Sequence, residues 1–213
     1  RAFEFNQPIK TKDVILGNKT YTAWDVSNVS DGNFNSMFDR TPFKTLYGIP
    51  STPDRAFFTQ FSQNDNNGDL KAAVNEYYPD NATAPVQSAI EKYGYLNTWN
   101  VSKVTNFSNL FRDKNNFNEN ISDWDVSNAV NMTQMLMATK FNHDITQWNV
   151  SNVKTFRRCF DQIEEFNQPI GDWNVSNVTN IAQLFQSSGF NQPLNDWDVS
   201  NVTDMSQTFS GAV

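Results

Sequence analysis

The chain has 213 residues, is 14% aromatic with 18 Phe and 6 Trp, and carries a formal net charge of −7. Its Lys and Arg are scattered, so it lacks the basic stripe that nucleic acid demands and the cationic face that suits an anionic membrane surface. No apolar run approaches the roughly 20 residues of a membrane span, while the aromatic content is enough for a sizeable core.

The first residues contain Phe5-Asn6-Gln7-Pro8-Ile9, a run that recurs at Phe166–Ile170 and, with Leu, at Phe190–Leu194. It reads as the closing part of a repeat whose opening part does not precede it. No signal peptide is visible and the chain starts at Arg1 rather than Met, so a processed chain or an excised fragment is expected. Two β-prone runs, Asp13–Leu16 and Lys19–Thr22, flank Gly17-Asn18 and predict a hairpin. Trp24-Asp-Val-Ser-Asn-Val29 then opens a repeat whose apolar ladder continues through Phe34, Met37 and Phe38. Residues 1–40 therefore form a partial repeat with a hairpin insertion and one Trp repeat.

Residues 41–95 interrupt the repeat. Pro42, Pro50 and Pro53 mark a linker. Arg55–Phe61, Leu70–Tyr78 and Pro85–Tyr93 have helical patterns, the last with Thr83 or Ala84 near its start and Gly94 past its end. This helical insert is expected to cap the array that follows, since a terminal repeat otherwise exposes its core. Before it, Asp65, Asn67 and Asp69 surround Gly68 in the manner of a calcium loop. Gln63 stands where the first ligand belongs and Val74 where a bidentate Glu belongs, so a structural turn is favoured over a calcium site.

From residue 96 to 213 the array is regular. Trp99, Trp124, Trp148, Trp173 and Trp197 are 24 or 25 residues apart, the mark of a stacked repeat protein. Counting from each Trp, an apolar residue precedes by three (Leu96, Ile121, Ile145, Ile170, Leu194) and Val follows by two. A second Val follows by five, displaced by one at Val130, and apolar residues stand at eight, eleven and twelve, with Thr208 at eleven in the last unit. Phe-Asn closes the unit at Phe117, Phe141, Phe166 and Phe190. The Trp-x-Val segment suits a short strand. The Val-x-x-apolar-x-x-apolar-apolar segment has helical spacing, with Thr or Ser near its start as a cap. The expected fold is a β/α solenoid of 24–25-residue units, with a column of Trp, Val, Phe and Ile as its core.

The spelling Trp-x-Val-Ser-Asn-Val-Thr-x-Met together with Phe-Asn-Gln-Pro-Ile resembles the bacterial surface-protein repeat of about 26 residues, common in mycoplasma-type surface lipoproteins. The resemblance covers Trp24–Phe38 and Leu96–Phe209. It implies a leucine-rich-repeat-like solenoid, a surface-exposed protein and no family active site to transfer. No lipid-attachment Cys stands near Arg1.

Eleven Asn-x-Ser/Thr sequons occur, most of them the repeat's own spelling. Asn18 and Asn81 lie in turns outside the ladder and are the better glycosylation candidates. Asp125, Asn149, Asn174 and Asp198 form one column and Ser127, Ser151, Ser176 and Ser200 another. These could offer a flat face for a protein or glycan, but a solvated hydrogen-bonding ladder is the favoured account. Cys159 lies on the apolar ladder as a buried thiol. His143 is the only histidine, and no nucleophilic, phosphate-binding or metal constellation assembles.

The two ends complement each other. The last unit stops at Phe209-Ser-Gly-Ala-Val213 without Phe-Asn, and the first residues supply Phe-Asn-Gln-Pro-Ile. Head-to-tail stacking of copies through Phe3, Phe5, Pro8 and Ile9 on one side and Met205 and Phe209 on the other would build filaments. An uncapped layer of ~400 Å² would contribute on the order of 10 kcal/mol before association costs. The expected function is a non-enzymatic extracellular or cell-surface structural protein, with a strand-face adhesin for a protein or glycan as the alternative.

Overall fold

The computed structural model describes residues 11–16, 19–24 and 68–212. The chain divides into two compact units, Arg1–Thr59 and Gln60–Val213. In the first, β1 (Thr11–Leu16) and β2 (Lys19–Trp24) pair antiparallel, with Leu16 opposite Lys19 and Thr11 opposite Trp24. Gly17 and Asn18 alone separate them, the length of a tight hairpin connection. The segment from Phe3 to Ile9, the repeat beyond Trp24, the linker and the Arg55–Phe61 run lie outside the described residues.

The second unit begins with α1 (Gly68–Tyr77). Leu70, Ala73, Val74 and Tyr77 fall on one face at helical spacing and are all buried. Asp69 sits in the first turn, where its charge favours the exposed amides. Pro79 cannot continue the helix. The second helix, α2 (Gln87–Tyr93), starts after Val86, which makes no side-chain cap, so neither Thr83 nor Ala84 is the capping residue. It ends at Gly94, whose φ of 76° returns its N–H to the Ile90 carbonyl. A 3-10 turn, Leu96–Thr98, leads into the array.

Among the described residues of the array there is neither an α-helix nor an extended strand. This corrects the expected strand and helix of each unit. In their place each unit is a coil of β-turns. In the unit of Trp173, the amides of Trp173, Val178, Leu184 and Ser188 return to the carbonyls of Ile170, Val175, Ile181 and Phe185 at 2.8–3.3 Å. All eight of these residues are buried. The ends of a turn are three residues apart and both face inward, so the apolar spacing that mimics a helix is the spacing of turn ends.

Two positions per unit enforce this. Asn109, Gln134, Arg158, Gln183 and Gln207 have φ of 55–57°, and Asp113, Ala138, Gln162, Ser187 and Gly211 have φ of 50–72°. Positive φ at the third residue of a turn is the type II arrangement, and a left-handed residue excludes an α-helix there. The amides that a helix would turn back on itself instead cross to the next coil. Phe107, Asn109, Phe111 and Asp113 donate to the carbonyls of Asn131, Thr133, Met135 and Met137 at 2.7–3.0 Å. The same four positions donate onward from the units of Trp124, Trp148 and Trp173. Parallel bridges link Asn106, Asn131, Thr155, Asn180 and Asp204 in turn.

The side chains stack along the same axis. Phe117, Phe141, Phe166 and Phe190 form one column with ring centroids 6.1–6.4 Å apart. Phe160 and Phe185 form a second, each 4.0–4.1 Å from the closing Phe of its own coil. From Trp124 on, each indole N–H staples two coils. Trp124 donates to the Leu96 carbonyl at 2.8 Å, and Trp148, Trp173 and Trp197 donate to Ile121, Ile145 and Ile170 at 3.1–3.3 Å. At the position five after Trp124 the ladder is filled by Ala129, fully buried, while Val130 is 40% exposed. Val130 was the expected ladder residue. Its amide instead bonds the Thr105 carbonyl on the coil's outer side.

Candidate functional site

The inter-coil bonds run both ways: the amides of Lys140, Lys154, Thr179, Gly189 and Thr203 return to the carbonyls of Phe117, Val130, Lys154, Ile163 and Thr179 of the coil before, while a separate row crosses onward. Four amides of each coil point toward the next one. Along that row the first coil turns carbonyls outward and the last described coil turns amides outward.

The carbonyl end is covered by the helices. Lys71 of α1 donates its ammonium to the carbonyls of Asn109 and, at 2.8 Å, Leu110. The Tyr78 hydroxyl donates to the Asn116 carbonyl at 2.9 Å, and the Asn116 amide group returns to the Ala82 carbonyl. Tyr77 and Tyr93 pack against Trp99 at 5.4 and 5.5 Å. Lys114, buried, reaches Asp80 at 3.1 Å.

Burial and the nearby Lys114 charge lower Lys71 from 10.5 to about 8. Below pH 8 the lysine is charged in both folded and unfolded chains, and its desolvation opposes folding in full. Between pH 8 and 10.5 only the unfolded chain keeps the proton, so stability rises with pH. Cys159, whose thiol burial pushes up to about 12 from 9.0, acts oppositely once pH passes 9. The clean window is therefore pH 7.5–9. Urea unfolding in that window is expected to show a rising stability that Lys71→Met flattens. An equal slope in the variant would remove Lys71 as its source.

The last described coil is that of Trp197. Its Met205, Gln207, Phe209 and Gly211 occupy the donor positions that cross to a further coil in every earlier unit, and among the described residues no carbonyl accepts their amides. Phe209 is 55% and Met205 52% exposed, whereas Phe185 and Ile181, their counterparts one coil earlier, are buried. Val199 is exposed beside them. A groove of about 360 Å³ runs across this face, lined by Phe190, Asn191, Gln192, Leu194, Phe209 and Ala212. Of the residues expected to associate, the structure places Met205 and Phe209 on this face. Phe3, Phe5, Pro8 and Ile9 lie outside the described residues.

The polar columns along the coil are engaged with the chain itself. Asp125, Asn149, Asn174 and Asp198 each accept the amide two residues on, from Ser127, Ser151, Ser176 and Ser200, at 3.0–3.2 Å. Asn128, Asn152, Asn177 and Asn201 donate to the Ser carbonyl one coil earlier. A third column, not singled out in the sequence, accepts Ser108, Thr133 and Ser206 amides through Asn106, Asn131 and Asp204. Its signal was Asn-x-Ser/Thr at a fixed offset from Trp.

Asp69 is exposed in the first turn of α1, and Asp65 and Asn67 lie outside the described residues. No cluster of three or more metal-ligating side chains occurs among the described residues. Asn81 is exposed in a turn with φ of 64°, and Asn18 lies outside the described residues. His143 meets the Asn118 carbonyl at 2.8 Å in the closing turn, and Cys159 is fully buried. No helix among the described residues is long and apolar enough to cross a membrane.

The family model described as "Mycoplasma protein of unknown function, DUF285" matches residues 81–188 and again 137–213. The two matches overlap, as repeats require, and together span more than half of the chain. No curated protein and no solved structure matches it. The chain belongs to the DUF285 family.

Proposed function

We propose that this chain is a non-enzymatic, extracellular or cell-surface structural protein whose open amide end joins a further coil, so that copies assemble head to tail. The observation that carries this reading is the contrast between the two ends. Lys71, Tyr77 and Tyr78 cover the carbonyl end. The amide end leaves four donors and a stacked aromatic layer facing outward. A surface that repeats its own interior is complementary to one more unit, and a heterologous contact of that kind extends without closing. The finer placement as a leucine-rich-repeat-like solenoid belongs to this reading, with turns taking the place of the per-unit helix. So does the surface setting, in which Asn81 is an accessible sequon.

The alternative, an adhesin using the Asp/Asn and Ser columns, has less support. Those carboxylates and amides already hold their own backbone, and re-aiming them toward a ligand would break the turns. Electron microscopy of concentrated chain is expected to show filaments, with sedimentation mass rising with concentration. Phe209→Asp is expected to hold the mass at the 24.4 kDa of one chain. Assembly by Phe209→Asp equal to wild type would sink the open-end reading.

A further inference from the structure

The junction between the helices and the first coil holds more positive charge than it neutralises. Lys114 is 1% exposed, yet its ammonium meets one carboxylate, that of Asp80 at 3.1 Å. Asp80, in the turn after α1, is itself 83% exposed. Lys71 reaches the same junction from α1 and donates to the Asn109 and Leu110 carbonyls, which bear no formal charge. The remaining charges that act on Lys71 are those of Arg112 and Asp113, and these two pair with each other at 3.0 Å. Among the described residues, two ammoniums therefore share one carboxylate. An excess positive charge stands partly out of water in a chain whose formal net charge is −7.

The coil itself does not require this charge. Counting from each Trp, the position of Lys114 is taken by Thr139, Ile163 and Ser188 in the next three coils, all neutral and all buried. Desolvating an ammonium is costly unless it is fully paired. The strain of doing so shows at Lys71, which burial first and the Lys114 charge second bring down to about 8. A half-buried cluster of perturbed, incompletely paired groups is where a functional ligand is to be sought.

We propose that this junction is a binding site for a dianionic phosphate group, held between Lys71 and Lys114 in the place of the Asp80 carboxylate. Donors and charge both fit. Each ammonium has three N–H groups. Lys71 spends two on the carbonyls and Lys114 spends one on Asp80, and the rest take no acceptor among the described residues. Once Asp80 swings out, the two ammoniums present two positive charges. A phosphate group carries close to two negative charges at pH 7.5, whereas a carboxylate carries one. Asp80 leads from solvent to the buried Lys114, so its departure opens the path by which the anion enters. Lys71 belongs to α1 and Lys114 to the coil of Trp99, so the bound anion clamps the helices onto the array. The site is independent of how copies of the chain meet.

Thermal unfolding of the full chain at pH 7.5 tests this, with millimolar sodium phosphate compared against chloride and acetate at matched ionic strength. At such concentrations the general effect of salt on burial is small. Phosphate is expected to raise Tm by about 3–6 °C once it exceeds its dissociation constant tenfold, and acetate is expected to match chloride. Lys71→Met and Lys114→Met are expected to lose the response. Asp80→Asn changes an exposed residue, so its folding is not at stake, and it removes the competing carboxylate. Its phosphate titration is expected to show binding about two- to fivefold tighter than wild type. O-phosphoserine separates the two sources of the group: a response equal to that of phosphate assigns a phosphomonoester, and none assigns the free ion. Equal midpoints in phosphate and chloride would overturn the site. So would an acetate response as large as that of phosphate, an undiminished response in Lys114→Met, or weaker binding by Asp80→Asn.

Discussion

Phe166→Ala is expected to remove about 4 kcal/mol of stability, within the range for truncating a buried Phe. Phe166 is fully buried and touches Phe141 below, Phe160 beside and Phe190 above. Its loss opens a cavity at the crossing of two aromatic columns, where neither column can collapse without dragging its inter-coil bonds out of register. In a chain of this size the loss corresponds to a fall in Tm of about 8–16 °C. A stacked array is a chain of nearest-neighbour contacts, so the cut falls between coils. Thermal unfolding followed by Trp fluorescence is expected to broaden or split, with the coils of Trp173 and Trp197 melting first. Phe209→Ala is the control: half-exposed on the end layer, it is expected to cost under about 1 kcal/mol. Equal losses for the two would mean that the columns do not carry the stack.

The contrast between these two phenylalanines also shows what the sequence makes legible. Period and core are readable because burial follows side-chain identity: Trp, Val, Ile and Phe recur at fixed offsets, and those of the inner coils are buried. The local backbone is harder to read, because an apolar residue every three or four positions fits both a helix and consecutive turns. The discriminating positions carry left-handed φ, and Asn109, Gln134, Arg158, Gln183 and Gln207 share no side-chain chemistry that would announce it. The Asn-x-Ser/Thr pairs at Asn106 and Asn131 were the available signal. Their side-chain oxygens accept an amide two residues on, which is the chemistry of a helix cap as well as of a turn. The direction of the bonds between coils was not legible. Which amides cross to the next coil and which return to the one before follows from backbone pairing, which leaves no trace in residue type. The role of Lys71 was hidden for the same reason, since its partners are main-chain oxygens.

Gly189→Ala is expected to be the costliest small substitution in the array, at about 3 kcal/mol, the upper end of ordinary overpacking. A methyl there would lie 1.9 Å from the Glu164 carbonyl oxygen of the coil beneath. That oxygen is backbone, so no rotamer change relieves the contact and the two coils must separate. Gly189 also donates its amide to Ile163 at 3.1 Å, a bond that such a separation breaks. Gly171→Ala meets the Pro193 oxygen at 2.7 Å and is expected to cost less. Gly211→Ala meets nothing closer than 3.4 Å and is expected to cost about 1 kcal/mol, through its φ of 72° alone. Side chains already occupy its counterpart positions, as at Ser187 and Gln162. Urea midpoints for the three variants are therefore expected to fall in the order of the clash. A Gly189→Ala midpoint no lower than that of Gly211→Ala would mean that adjacent coils do not approach as closely as their hydrogen bonds require.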